Sequence, residues 1–229
     1  MKVAVYTRSN NPVLWERMCE FIPQDVIKYR CTGFHGFEAA VDYLYYMFEH
    51  AVENKVNYII NIDEDCLITD WNVVLNLLKY TKDNSFTHVG MPDGCVHPGR
   101  SNSWAVHNPF FNIFNVVACS LLVRSKSKEF INSFTFDGIK KATRPKERGT
   151  FQHNNDEPFS GLFYYLHAKG KPLNLSAYIW ADGITTELLF KGSPFCVHTW
   201  YSREYGFDEN VTNRIDTIYE NCRNRVLVG

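Results

Sequence analysis

Three consecutive acids, Asp63-Glu64-Asp65, close the apolar run Val56-Asn57-Tyr58-Ile59-Ile60-Asn61-Ile62. Three adjacent negative charges at a strand's end repel one another unless a cation or a hydrogen-bond network absorbs them. Hard oxygen ligands suit Mg²⁺ or Mn²⁺, ions that usually arrive with substrate phosphates. As a strand ends, Asp63 and Asp65 are expected on one side, able to grip a divalent ion that also bridges a diphosphate, with Glu64 facing away. The competing reading is a solvated acidic turn. His198, in the late run Pro194-Phe195-Cys196-Val197-His198-Thr199-Trp200, is a further candidate metal ligand through neutral imidazole, against a core or capping histidine. Lys191 and Arg203 flank it and are candidate phosphate contacts.

Asp156-Glu157-Pro158 has the form of a helix start, since proline suits the first turn. Capping accounts for one acid; either Asp156 or Glu157 is also a candidate general base for an acceptor hydroxyl. Thr7, Arg8 and Asn10 follow the first strand, where polar groups could hold a nucleotide, with His35 a weaker candidate. Trp104, His107, Phe110 and Phe111 form a candidate sugar-stacking platform, the alternative being packing onto the core.

The elements that position these residues read as β-α-β-α-β-α in the first half. Lys2 to Tyr6 reads as a strand, Pro12 to Phe21 as a helix, Val26 to Tyr29 as a strand. Glu38 to Asn54 reads as a helix with Glu38, Asp42, Glu49 and Glu53 on one face. Val56 to Ile62 is the strand that delivers the acids, and Asp70 caps a helix carrying Trp71, Val74, Leu75 and Leu78 on its apolar stripe. That alternation implies an α/β fold with a doubly wound, mostly parallel sheet, whose ligands collect beyond the carboxyl ends of the strands. The second half is less regular. His88 to Met91 reads as a strand, Pro92 to Asn112 as a long loop over the site, Ile113 to Arg124 as an apolar strand region and Ser125 to Phe134 as helical. Asp137 to Asn155 reads as polar and mobile, Glu157 to Ala168 as a helix, and Lys171 to Tyr178 as an edge strand. Val211, Ile215, Ile218 and Cys222 mark a C-terminal amphipathic helix.

With 229 residues the chain can bury a substantial core, and its net charge of −1 argues against nucleic-acid binding and against a polybasic membrane patch. The seven cysteines are odd in number, scattered and without a C-x-x-C pair, which speaks against zinc and disulfide frameworks and for a reducing compartment. No apolar run is long enough to span a bilayer, so the expectation is a soluble, cytoplasmic protein.

In this order the features resemble a GT-A-fold glycosyltransferase of the nucleotide-diphospho-sugar transferase group. The residues carrying the resemblance are the opening strand Val3-Ala4-Val5-Tyr6-Thr7, the D-x-D element Asp63-Glu64-Asp65, the acidic pair Asp156-Glu157 and the late His198. The resemblance implies one catalytic domain over 1–229, with a nucleotide-binding half (1–91) and an acceptor-side half (92–229). It implies a nucleotide-sugar donor, UDP-sugar favoured, and a glycan or other hydroxyl acceptor. Mn²⁺ or Mg²⁺ is then held by Asp65 and His198, while Asp63 meets the ribose or shares the metal. An inverting displacement with a carboxylate base is the implied chemistry. The Q-x-x-R-W element of processive synthases is absent. A haloacid-dehalogenase-like phosphatase also places D-x-D after an apolar strand, but its motif belongs to strand one. A sugar nucleotidyltransferase is disfavoured because Arg8-Ser9-Asn10-Asn11-Pro12 has no glycine. A non-catalytic nucleotide-sugar-binding domain is the remaining alternative.

Overall fold

The computed structural model describes residues 1–36, 38–93, 103–135 and 157–228. The first half runs β1 (Val3–Arg8), α1 (Pro12–Glu20), β2 (Ile27–Cys31), α2 (Ala39–Glu53), β3 (Tyr58–Ile62), β4 (Cys66–Ile68) and α3 (Trp71–Asp83). It continues through β5 (His88–Asp93), β6 (Ser103–Asn115), α4 (Val116–Arg124), α5 (Lys128–Asn132) and α6 (Ser160–Lys169). The chain ends with β7 (Pro172–Asn174), β8 (Ser176–Ile179), β9 (Thr186–Phe190), β10 (Ser193–His198) and α7 (Glu209–Val228).

A six-stranded sheet has the order β2-β1-β3-β6-β5-β7. Pairing is parallel between β1 and β2, β1 and β3, and β5 and β7, while β6 runs antiparallel to both its neighbours. The sheet is therefore mostly parallel. Both faces are covered, so its strands carry apolar residues at successive positions, as buried parallel strands do. Val5, Ile60 and Ile62 pack on one face with Met18 of α1, Leu77 of α3 and Ile218 of α7. Ala4, Tyr6 and Ile59 pack on the other with Leu44 and Met47 of α2 and Phe163 of α6. Two local caps fix where helices start. Asn11 accepts from the N–H groups of Val13 and Leu14 ahead of α1, and Asp70 accepts from those of Asn72 and Val73 ahead of α3.

A second sheet of order β4-β10-β9-β8 is antiparallel throughout. Its Leu67, Phe195, Val197 and Leu188 share the first core with the large sheet. Because β4 begins three residues after Asp63, the acidic turn is the physical link between the two sheets.

Three sequence expectations change. The long loop expected over Pro92 to Asn112 is, from Ser103 onward, strand β6, and Ala105, Val106, Phe110 and Phe111 are buried. Its register comes from pairing with β3 and β5, distant partners that no local period reveals. The apolar strand expected over Ile113 to Arg124 stops at Asn115, whose side chain accepts from the Ala118 N–H and starts helix α4. The cap outweighs the strand preference of the valines that follow. The edge strand expected over Lys171 to Tyr178 divides into β7, at the edge of the large sheet, and β8, at the edge of the small one. The stretch expected to be mobile, Asp137 to Asn155, lies outside the described residues.

Candidate functional site

β1 and β3 are parallel neighbours with Tyr6 opposite Asn61, so Arg8 and Asp63 emerge side by side at their carboxyl ends. This is where an open α/β sheet offers a crevice. A cleft of about 1120 Å³ opens there, and Arg8, Asn10, Asp63, Glu64, Asp65, Glu157, His198 and Arg203 all line it.

The three acids point to three different partners. β3 ends at Ile62, so Asp63 to Asp65 form a turn rather than strand, and Asp63 and Asp65 do not share a strand face as expected. The Asp63 N–H donates to the Phe110 carbonyl at 2.9 Å, which pins the turn to β6. Glu64 turns back toward the β1–α1 connection, where Oε2 accepts the Asn11 N–H at 3.0 Å. Asp65 faces β10: its Oδ1 lies 3.3 Å from His198 Nε2, and Thr199 donates to its Oδ2 at 3.5 Å. Antiparallel pairing of β4 with β10 sets Cys66 opposite His198 and so brings His198 to Asp65.

Burial raises the Asp63 carboxyl above its ordinary range and Asp65 adds to the rise, against the opposing pull of Arg8, His198 and Arg203. Burial also raises Glu64, against hydrogen bonds from Ser9 and Asn11. In Asp65 burial acts the same way, but the charge and hydrogen bond of His198 outweigh it and hold this carboxyl below its ordinary range. The His198 ring is stacked on Phe110 at 4.2 Å and tilted against Trp200 at 4.2 Å. Its Nδ1 is buried and has no hydrogen-bond partner among the described residues.

Ligand atoms of Asp65, Cys66 and His198 lie within 4.8 Å of one another. Burial and the neighbouring Cys196 push the Cys66 thiol well up, and its sulfur is 3.2 Å from the Phe110 carbonyl. The cluster thus offers a carboxylate, an imidazole and a thiol that an ion would have to deprotonate. Asp63, the other acid expected to share an ion, is not part of this group.

The remaining sequence candidates fall elsewhere. Thr7 is fully buried behind the cleft. His107 is buried too, with Nε2 2.7 Å from Asn174 Oδ1. Lys191 sits in the β9–β10 turn against the Tyr80 ring at 4.2 Å, on a separate groove. Phe110 and Phe111 belong to the core. His35 does reach the cleft wall. Asp156 and the Trp104 side chain lie outside the described residues.

Sequence reasoning named Arg203 but missed the rest of the segment after β10. Trp200 and Tyr201 both hold left-handed backbone, φ 62 and 66, unusual for large side chains. Arg214 of α7 fastens this turn, its guanidinium donating to the Thr199 carbonyl at 2.6 Å and the Trp200 carbonyl at 2.9 Å. Tyr201, Glu204 and Phe207 also line the cleft. The only sequence signal was the run of polar and aromatic residues following His198.

No family model and no curated protein matches this sequence. Among solved structures, A197 from STIV is similar over 84% of this chain and 87% of its own, at 12% identity and a TM-score of 0.46. A likeness of that strength assigns no activity. Among the described residues, no helix is long and apolar enough to cross a membrane.

Proposed function

We propose that the chain is a metal-dependent glycosyltransferase of the GT-A type. It moves a sugar from a nucleotide-diphosphate sugar, UDP-sugar favoured, to a hydroxyl acceptor. The observation carrying this reading is the meeting of Asp65 and His198 at 3.3 Å beside Asp63, in a cleft at the carboxyl ends of parallel strands.

Asp65 and His198 would hold Mn²⁺ or Mg²⁺, with Asp63 sharing the ion or meeting the ribose. The bound ion supplies charge neutralisation for the leaving diphosphate. Arg203, on the wall after β10, and Arg8, on the wall at the end of β1, add guanidinium charge to the cleft, and each can grip a phosphate through paired N–H groups. Asn10 joins this wall to the β2–α2 connection, its Nδ2 donating to the Phe34 carbonyl at 3.2 Å. Glu157 lines the cleft just ahead of α6 and is the described candidate for the base that takes the acceptor's hydroxyl proton. Attack from the face opposite the departing diphosphate would invert the anomeric carbon.

Calorimetric titration of UDP-, GDP- and dTDP-sugars with Mn²⁺ and with EDTA, on the native chain and Asp65→Asn, tests this. The expected result is one nucleotide class bound only with metal, weakened about a hundredfold or more in Asp65→Asn. A folded native chain that binds none of them under any condition sinks the reading. Phosphate release from a small ester would favour the phosphatase instead.

A further inference from the structure

The cleft of about 1120 Å³ is larger than the roughly 300–1,000 Å³ that holds a single small ligand. One wall, residues 200–207, is built unlike the rest. Its chain is tied down at several points. Arg214 holds the Thr199 and Trp200 carbonyls, and the Trp200 indole N–H donates to Thr186 Oγ1 at 2.9 Å. Tyr205 Oη donates to Asp216 at 2.9 Å, and the Gly206 N–H donates to Thr212 Oγ1 at 2.8 Å. Yet Phe207 is 91% exposed and Tyr201 48% exposed, and both face the cleft. Two large side chains in left-handed backbone are strained, and such strain persists only where surrounding contacts impose it. Here those contacts hold a wall whose outer aromatics have no apolar cover.

We propose that this wall is the acceptor subsite and that its ligand is a pyranoside ring stacked on Tyr201 and Phe207. The word acceptor rests on the glycosyltransferase reading; the pyranoside assignment rests on the wall itself. A sugar ring has one apolar C–H face and a rim of hydroxyls. The wall offers both, the aromatic rings of Tyr201 and Phe207 and the polar side chains of Ser202, Arg203 and Glu204. A lipid chain would need continuous apolar lining, which the charged residues between the aromatics interrupt. A nucleic-acid acceptor would meet five carboxylates, Asp63, Glu64, Asp65, Glu157 and Glu204, against two guanidinium groups, Arg8 and Arg203. Because the wall is fixed before the ligand arrives, little ordering opposes stacking.

The test is saturation-transfer NMR with methyl glucosides, galactosides and mannosides, each with and without UDP and Mn²⁺. The variants are Phe207→Ala and Phe207→Trp, at an exposed position where folding is not at stake. The expected result is saturation of the ring C–H protons of at least one pyranoside. Affinity should fall roughly three- to tenfold in Phe207→Ala and recover in Phe207→Trp. Absence of saturation from every pyranoside, or equal affinity in Phe207→Ala, overturns the proposal. UDP binding, read by calorimetry on the same samples, separates the two readings. Intact UDP binding without any pyranoside overturns the subsite alone. Pyranoside binding sensitive to Phe207, without nucleotide binding, supports the stacking wall and removes the glycosyltransferase.

Discussion

Acid should unfold this protein through two buried histidines and one half-buried one. His88 of β5 and His107 of β6 have ring centroids 4.9 Å apart, and both pack on Phe163 of α6, the helix that carries His167. Because Asn174 Oδ1 accepts at 2.7 Å from His107 Nε2, the proton sits on Nε2 and Nδ1 carries a lone pair without a donor. His88 Nε2 is likewise buried without a partner. Burial pushes His107 down to about 3 and His167 down to about 4, and drives His88 well below the ordinary histidine range. The charged forms therefore belong to the unfolded chain. Below about pH 6.5 the unfolded state takes up protons that the folded state refuses, so stability is complete above that pH and is lost as pH falls toward 4 and 3. At pH 5, about 1.5 units below the unfolded value, each histidine costs about 2 kcal/mol. Three together approach about 6 kcal/mol, a large share of the roughly 5–15 kcal/mol that holds a domain folded. Urea unfolding followed by tryptophan fluorescence at pH 7.5 and 5 measures this. His88→Phe keeps a ring beside Phe114 and removes one titrating group, so its loss between the two pH values should be about 2 kcal/mol smaller than the native one. Parallel losses in the two proteins would refute the reasoning and mean that the histidines are reached by water.

Further outcomes follow from close contacts elsewhere. Arg214→Gln removes the charged donors that hold the turn after His198, and should cost about 2 kcal/mol of stability and about tenfold in Mn²⁺ affinity. Electron paramagnetic resonance of free Mn²⁺ reads the second value, and unchanged affinity would mean that pairing of β10 with β4 positions His198 unaided. Gly161 lies in α6 where it crosses the end of α5, and a Cβ there would overlap the Asn132 carbonyl. Gly161→Ala should therefore lower stability by about 1–3 kcal/mol in a thermal melt, and a neutral result would show that α5 shifts freely.

Much of the first half was legible in the sequence because its signals are local. Asn11 and Asp70 mark helix starts by bonding to N–H groups two and three residues ahead, so the cap is written where it acts. The buried run ending at Ile62 announced both a covered strand and the acids beyond it. Local reasoning failed where the partner was distant. His107 and Phe110 resembled loop residues until β6 was paired with β3 and β5, and only that pairing placed them in the core. Lys191 stands seven residues from His198 in sequence, yet the reversal from β9 to β10 sends it to another surface. The acid triplet and the late histidine could each be named from the chain, but their meeting depends on the β4–β10 register, which sequence spacing does not encode. The wall from Trp200 to Phe207 was hidden for a further reason. Two of its left-handed residues, Trp200 and Tyr201, are not glycines, and the turn they make is held by Arg214, on a helix the chain makes only after the wall is complete. Sequence determines what each segment prefers; long-range hydrogen bonds decide which of those preferences the packed molecule overrides.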